Sequence, residues 1–320
     1  MNNNNREKNE KTIAIGLSLI IICISLLVGT LLFFKLNTLF NSYMESQCAR
    51  QGKITADAVS QGFRLESEWL DYFAKQVEYG NLSVTDLPEL ISGGEAGVYV
   101  GIIGIDGELI AGDKIDVSKF GSLRATIKGY DTVDYVAGEG LILSCPILHK
   151  GNVRYVLYEL YDNDAAAYNF SFDTYENYSF CCVTSHESEH VFSLQNVDES
   201  WIELMENSKI EDAFNNMARE LSVTGFAARS VNIGYGKDFF VYKAEIPDTS
   251  LVLFGIVEKK VVNSGIPDIY GLIFWICGIL LITLAAAMIY LTKASAKVRS
   301  FWGMTKYFVI FLLKHDAHGA

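Results

Sequence analysis

The pattern of apolar residues begins and ends with a long uncharged segment. Residues 12–34 and residues 269–292 contain no charged side chain. A helix of about 20 apolar residues crosses a hydrocarbon layer about 30 Å thick, so the pattern predicts two transmembrane helices. A cleaved signal peptide is the alternative for the first segment, since Arg6, Lys8 and Lys11 precede it. Its apolar run, however, exceeds the roughly 7–15 residues of a signal peptide, and no small-residue cleavage site follows.

The first pattern between these segments is helical. From position 36 to position 77, apolar residues recur mostly at spacings of three, four or their multiples, as in a helix with one buried face. They are Leu36, Phe40, Tyr43, Ile54, Ala58, Phe63, Trp69, Phe73 and Val77. The spacing predicts a stalk helix over residues 35–80 that continues from the first span. Residues 82–97, with Pro88 and the pair Gly93-Gly94, are expected to form a loop.

Strand patterns follow in two similar sets. In the first set, apolar runs at 98–105, 108–110, 133–136, 141–148 and 153–161 are separated by turn residues, and residues 120–127 are compatible with a short helix. Asp106-Gly107 between two apolar runs is a strong hairpin signal. The pattern predicts an antiparallel meander of about five strands.

The second set repeats the order of the first. Strands are predicted at 178–184, 191–194, 227–233, 239–246 and 251–258, and Pro146 and Pro247 stand at matching points near the ends of the penultimate strands. One amphipathic helix is predicted between the second and third of these strands. Its apolar face is Ile202, Met205, Ile210, Phe214, Met217 and Leu221. We therefore predict an α+β chain with two copies of one module, at residues 81–172 and 173–262, between transmembrane helices 12–34 and 269–292.

Charge refines the topology and excludes one class of partner. The 320 residues carry 26 Lys and Arg against 38 Asp and Glu, a net charge of −12. Affinity for nucleic acid comes from clustered basic residues, so a nucleic-acid partner is not expected. Basic residues lie in the N-terminal segment 1–11 and in the tail 293–320. The positive-inside rule then predicts a cell-membrane protein with both termini cytoplasmic and residues 35–268 outside.

Cysteine and histidine patterns give no firm site. Cys48, Cys145, Cys181 and Cys182 lie between the spans without metal or redox spacing. Adjacent cysteines on a strand point to opposite faces, so at most one of Cys181 and Cys182 faces a given core. Two alternatives remain: a disulfide between Cys145 and one of these two residues, or free buried thiols.

One motif has the form of a zinc-peptidase signature. Residues 186–190 read His-Glu-Ser-Glu-His, which is the H-E-x-x-H pattern. That pattern binds zinc only on a helix, whereas strand-like sequence flanks it here. We expect a turn, no metal site and no cofactor. A metal-dependent enzyme at His186 and His190 is the second alternative function.

Together, the architecture and three short motifs resemble the double Cache (PAS-like) extracytoplasmic sensor domains of bacterial transmembrane receptors. The motifs are Gly104-Ile105-Asp106-Gly107, Ser144-Cys145-Pro146-Ile147 and Val241-Tyr242-Lys243-Ala244-Glu245-Ile246-Pro247. The resemblance covers residues 36–262 and implies a small ligand bound outside the cell, usually by the membrane-distal module. An amino-acid-binding subfamily has an Arg-x-Trp-Tyr cluster and an Asp in the last strand of that module. Neither is matched, since Leu157 stands near the place of the Asp.

The ligand-site residues must therefore be chosen by their chemistry. Aromatic walls and one guanidinium are typical of a pocket that holds a small anion. The candidates are Tyr99, Arg124, Tyr135, Tyr155 and Tyr158. The alternative is that these tyrosines only pack the sheet, which is ordinary for aromatic residues on strands.

The predicted function is a homodimeric membrane sensor that binds a small ligand outside and signals across the membrane. Only 28 residues follow Thr292, too few for a catalytic domain, so no enzymatic activity is expected of the chain itself. Lys314-His315-Asp316-Ala317 resembles the entry to GGDEF diguanylate cyclase domains. We expect a missing output half, either such a cyclase or a histidine kinase. A non-sensing envelope adaptor is the first alternative function.

Overall fold

The computed structural model describes residues 3–171, 179–185, 190–194, 199–205, 207–234 and 237–264, with 271, 275–276, 278–279, 281–283 and 285–286. The chain forms two compact units. One comprises residues 1–40 and 266–320, and the other residues 41–265. Helix α1 runs from Asn3 to Glu78, which agrees with the predicted continuation of the first apolar segment into the stalk.

A five-stranded antiparallel sheet, sheet 1, forms the first half of the unit 41–265. Its strands are β1 (Val98–Gly104), β2 (Leu109–Gly112), β3 (Thr132–Val136), β4 (Gly140–His149) and β5 (Asn152–Tyr161). They lie in the order β2-β1-β5-β4-β3. Four short helical segments accompany this sheet: α2 (Leu87–Ser92), a 3-10 turn (Val117–Lys119), α3 (Leu123–Thr126) and α4 (Asn163–Asn169). The five antiparallel strands were predicted, but they do not form one meander, because β1 pairs with β5 and the consecutive strands β2 and β3 lie at opposite edges of the sheet.

A second five-stranded antiparallel sheet, sheet 2, repeats the arrangement. Its strands are β6 (Ser179–Ser185), β7 (His190–Ser193), β8 (Phe226–Gly234), β9 (Lys237–Glu245) and β10 (Leu251–Glu258). The order β7-β6-β10-β9-β8 is that of sheet 1 with each strand replaced by its counterpart. Helix α8 (Lys259–Ser264) follows. The shared strand order agrees with the repeated order of strands and turns that the sequence predicts.

Helix α1 packs on one face of each sheet. At sheet 2, the Glu45 carboxylate accepts a hydrogen bond from the Ser230 backbone N–H (2.8 Å). At sheet 1, the Phe170 ring contacts both Phe63 of α1, at 4.8 Å between centroids, and Tyr161 of β5, at 5.3 Å. We call the face that meets α1 the helix face of each sheet and the opposite face its outer face. Strand alternation assigns every strand residue to one of them.

The structure corrects two local expectations from the sequence. Residues 82–97 contain helix α2, which has a proline in its first turn and ends at Gly93 in the left-handed conformation (φ 53°). Proline at the start and glycine at the end are ordinary helix boundaries. The single amphipathic helix predicted around Ile210 is instead three short helices, α5 (Glu199–Met205), α6 (Ser208–Asn216) and α7 (Ala218–Thr224). The extended backbone of Asn207, whose side chain caps α6 at Lys209 N–H, separates α5 from α6.

The membrane spans stay predictions. Within the described part of the chain, no helix is both long enough and apolar enough to cross a membrane. The first predicted span, residues 12–34, lies within α1, and most of the second, residues 269–292, lies outside the described residues.

Candidate functional site

The outer face of sheet 1 is an apolar surface covered by the segment between β2 and β3. Phe120 and Leu123 of that segment are both 1% exposed and pack on side chains from β1, β4 and β5. The strand residues of this cluster are Ile103, Ile142, Val156, Tyr158 and Leu160. Most small-molecule sites have such apolar walls with a few fixed polar groups, so the polar groups of this face decide what it could bind.

Three hydroxyl groups meet within this layer. Ser144 Oγ of β4 lies 2.7 Å from Thr126 Oγ1 of α3 and 2.7 Å from Thr132 Oγ1 of β3, and the two threonine oxygens are 3.1 Å apart. Ser144 and Thr126 are buried. Each hydroxyl can donate one hydrogen bond and accept others, so the cluster satisfies itself and could also serve a ligand that enters between α3 and the sheet.

Tyr158 is the predicted site residue that is buried within this layer. It is fully buried, its ring lies over Gly101 of β1, and its hydroxyl donates to the Asp113 carbonyl oxygen. Burial raises the pKa of this phenol above its usual range, and the nearby Asp113 carboxylate raises it further. Tyr158 is therefore a neutral group that fixes the segment after β2 to the sheet.

The other four predicted residues do not converge with Tyr158 on one pocket. Tyr99 is on the outer face but 44% exposed, and Arg124 of α3 is exposed. Tyr135 pairs with Leu141 on the helix face, and its hydroxyl donates to the His190 carbonyl oxygen (3.3 Å). Tyr155 is also on the helix face, because it is an odd number of residues from Tyr158 on one strand. The structure divides the five between two faces of the sheet.

Tyr155 lines a separate, open hollow at the hairpin end of sheet 1. This hollow has a volume of about 470 Å³. The Arg154 guanidinium lies 5.1 Å from the centroid of the Tyr155 ring. Asp106 and His149, from the two hairpin turns, also line it. Charged groups of both signs at an open surface make this hollow a weaker candidate than the enclosed outer face.

Sheet 2 has an unusual cation on its own outer face. Lys243 of β9 is 6% exposed, and its Nζ lies 3.8 Å from the centroid of the Phe214 ring of α6. Burial lowers the pKa of Lys243. A cation held over an aromatic face is favourable, but burying an ammonium group remains costly. Lys243 belongs to one of the three sequence motifs of the predicted family, where no role was predicted for it.

Glu159, the buried carboxylate of sheet 1, was not among the site residues predicted from the sequence. Glu159 is 4% exposed on the helix face of β5, where it pairs with Val100 and Leu143. Burial, with a smaller contribution from the Glu66 carboxylate of α1, raises its pKa to about 8. A lone acidic residue inside the apolar run Val153–Tyr161 was the available signal, since carboxylates are almost never fully buried unless paired.

The histidine motif lies partly outside the described residues. His190 begins β7, its Nε2 is 3.0 Å from Ser193 Oγ, and burial lowers its pKa. Its strand setting agrees with the predicted turn-and-strand context. Residues 186–189 are not described, and in the part of the chain that the structure does describe, no group of three acidic, histidine or cysteine side chains is arranged to hold a metal ion.

The cysteines resolve the alternative that the sequence left open. Cys48, Cys145, Cys181 and Cys182 are all buried and free. Burial is the main cause that raises the pKa of each thiol, to about 12 for Cys48 and for Cys181. Because the thiolate is the reactive form, these groups behave as small apolar side chains.

Comparisons with known proteins find sensory domains among solved structures. No family model and no curated protein matches the chain. The sensory domain of the Campylobacter jejuni chemoreceptor Tlp3 with isoleucine bound is 13% identical, with a TM-score of 0.49, over 71% of this chain and 97% of that one. The ligand-binding domain of the Pseudomonas aeruginosa amino acid chemoreceptor PctB, in complex with L-Arg, is 14% identical, with a TM-score of 0.40, over 68% and 95%.

A histidine kinase domain is also similar. The extracellular domain of rpHK1S-Z16, a proposed histidine kinase, is 13% identical, with a TM-score of 0.41, over 66% of this chain and 92% of that one. Sensory, ligand-binding and extracellular domains of such receptors are thus among the solved structures to which this chain is similar.

Proposed function

We propose that the chain is a membrane-anchored sensor whose first module binds a small molecule on the outer face of sheet 1. The observation that carries the proposal is the repeated module. Two sheets of the same strand order lie along α1, and short helical segments cover the outer face of each. Each module thus has one face on a shared helix and one face that a ligand could enter without disturbing that helix.

The chemistry of the outer face favours an apolar ligand with one or two hydrogen-bonding groups. Ile103, Phe120 and Val156 would form its walls, and the hydroxyl cluster of Thr126, Thr132 and Ser144 its polar end. On β5 the outer face presents Val156, Tyr158 and Leu160, none of which is acidic. An α-amino acid, such as the isoleucine bound to Tlp3, would therefore find no carboxylate on β5 to pair with its ammonium group.

A metabolite screen by thermal shift of the full chain in detergent tests this proposal. A ligand that binds the folded state raises the melting temperature with its concentration. The hit should be lost in Ser144→Ala and Tyr158→Phe and retained in Arg154→Ala, which alters only the open hollow. Loss in Arg154→Ala with retention in the other two would move the site to the hollow. A screen without any hit would favour the envelope adaptor.

The membrane anchor belongs to this proposal. Many described apolar side chains of the two predicted spans and of α1 just after the first are more than 40% exposed: Ile24, Leu27, Val28, Leu31, Leu32, Phe33, Phe34, Leu36, Leu39, Trp275, Ile276, Ile279, Leu281 and Ile282. An aqueous surface would not favour such a concentration of apolar side chains, and a lipid environment would. With both termini cytoplasmic, residues 35–268 would lie outside the cell. Protease added to sealed cells should then cleave within the modules but not the two tails.

A homodimer along α1 is the proposed assembly. Tyr43, Ile54, Leu65 and Tyr72 are each more than half exposed, and their spacings of 11, 11 and 7 residues place them on one face of the helix. Trp69 stacks on Tyr72 at 5.7 Å beside them. In a Cys23→Ser background, Ile54→Cys should form a disulfide-linked dimer and the hairpin variant Glu108→Cys should not. Equal yields would contradict dimerisation along this stripe.

A further inference from the structure

The buried carboxylate of Glu159 lies where sheet 1 meets α1. Its helix-face position puts it under the part of α1 that carries Phe63, Glu66 and Leu70, and Phe63 and Leu70 are at most 1% exposed. Glu159 Oε2 is buried and has no hydrogen-bond partner among the described residues. The other contact of the carboxylate is a hydrogen bond with the Tyr161 hydroxyl. A carboxylate with so few partners is held poorly when ionised and well when neutral.

The charged groups around Glu159 make ionisation still less favourable. Glu66 faces it from α1 and Glu95 from the loop before β1, and both carboxylates act on it with the same sign. Glu95 is held in place by Asn169 of α4, whose amide donates to Glu95 Oε1 (3.2 Å). The neighbours on the paired strands, Val100 and Leu143, are apolar.

A second group of titratable side chains on this face lies around Cys145 of β4. The Cys145 thiol is itself buried and neutral. Asp71 and Lys75 of α1 and Asp131 of the loop before β3 act on that thiol. Lys75 pairs with Asp71 at 2.5 Å, so its charge is already matched within the helix. No cation among the groups that act on Glu159 offsets its negative charge.

We propose that Glu159 is a proton-responsive group that controls how tightly α1 packs on sheet 1. In its neutral form it fits the buried interface. In its ionised form it is repelled by Glu66 and Glu95 and loosens the contact between residues 63–75 of α1 and the sheet. This device goes beyond the proposed ligand site, because it lies on the opposite face of the sheet and uses the proton alone as its ligand.

The pH range follows from the raised pKa. The carboxyl of Glu159 has an ordinary pKa of 4.5 in the unfolded chain and a pKa of about 8 in the folded one. Between these values the folded state holds more protons than the unfolded state, so the stability contributed by the neutral form falls as the pH rises. As the pH rises through about 8 and beyond, the folded state also ionises at this group, and the loss becomes complete.

The test compares melting temperatures of the full chain in detergent from pH 5 to pH 9, with and without Glu159→Gln. Glutamine keeps the size and removes the ionisation. Between pH 6 and pH 9 the wild type should lose at least about 5 °C more than Glu159→Gln. The exposed-residue control Glu108→Gln should follow the wild type. Parallel profiles of wild type and Glu159→Gln would overturn the proposal.

Hydrogen exchange locates the change and guards against a variant that folds poorly. After correction for intrinsic rates, α1 peptides within residues 60–75 should lose protection at pH 9 relative to pH 6, and peptides of α6 and α7 should not. Glu66→Gln removes one of the charges that oppose ionisation of Glu159. In this variant Glu159 should therefore ionise, and the loss of protection begin, at a lower pH, and the loss should be smaller because one repulsion is gone. A shift to higher pH would contradict the proposal. Uniform loss across both modules, or an unchanged midpoint in Glu66→Gln, would overturn it.

Discussion

Two glycines of α1, ten residues apart, should respond in opposite ways to the same substitution. Gly52 is buried against Tyr242 of β9, and a Cβ built on it would lie 2.6 Å from the Tyr242 Cδ2 atom. Gly62 is half-buried, and a Cβ there would lie 3.5 Å from Phe170 Cδ1, an ordinary van der Waals distance. Both positions are helical, so alanine gains helix propensity at each.

The magnitudes follow from these distances. The Tyr242 ring is fully buried and also fills the space over Gly255, where a Cβ would lie 2.0 Å from its Cζ atom. The ring therefore cannot move away from Gly52 towards β10. Overpacking of this kind costs about 1–3 kcal/mol, against a gain of up to about 1 kcal/mol from helix propensity. We expect Gly52→Ala to destabilise by about 1–2 kcal/mol and Gly62→Ala to stabilise by about 0.5–1 kcal/mol.

Thermal unfolding of the full chain in detergent measures both variants. At about 2–4 °C per kcal/mol for a unit of this size, Gly52→Ala should melt a few degrees below the wild type and Gly62→Ala slightly above it. In a Tyr242→Leu background, the ring that clashes with the added Cβ is gone, so adding Gly52→Ala should lower the melting temperature much less than it does in the wild type. If Gly52→Ala melts at or above Gly62→Ala, the assigned packing of α1 on sheet 2 is wrong.

Three further changes have defined outcomes. Lys243→Met should raise the melting temperature at pH 7, because it replaces a buried ammonium by an apolar chain of similar length. The gain should shrink as the pH rises towards and beyond 10.5, because the wild-type lysine then loses its charge in the unfolded chain as well as in the folded one. Phe63→Ala should cost about 3–5 kcal/mol in chemical denaturation, since it leaves a cavity beside Phe170. Reductant should leave the melting temperature unchanged, and the four buried thiols should react with a thiol reagent only after denaturation.

The strands and the long helix could be predicted because their apolar periodicity is strong. A short continuous apolar run such as Leu141–Leu148 is typical of a buried strand, and β4 includes the whole of it. Helix boundaries inside the second module were harder, since the extended Asn207 interrupts an apolar spacing that continues on both sides of it. An amphipathic pattern shows which side chains are buried together, and it does not show whether one helix or three present them.

The candidate site was predicted less well for a physical reason. Tyr155 and Tyr158 were both chosen for their aromatic rings, yet three residues along a strand place them on opposite faces of sheet 1. The sequence alone does not indicate which face meets α1 and which meets the segment after β2. For Glu159, the sequence shows an acidic residue within an apolar strand. Its burial and its raised pKa depend on α1, which covers that face of the sheet in the structure.

Helix α1 packs on both modules, and α4 of the first module also packs on β7 of the second, where the buried Phe170 and Phe192 rings are 6.2 Å apart. Two hydrogen bonds between the modules lie at the surface: Ser60 Oγ of α1 donates to the Pro247 carbonyl oxygen of the second module (3.2 Å), and Tyr135 donates to the His190 carbonyl oxygen (3.3 Å). Exposed hydrogen bonds of this length contribute little to stability. By contrast, Phe63 and Leu70 of α1 are buried, and so is Tyr242 of sheet 2, which packs against Gly52 of α1. A proton at Glu159 would therefore act on α1 directly, whereas a ligand on the outer face of sheet 1 would reach that helix only through the sheet.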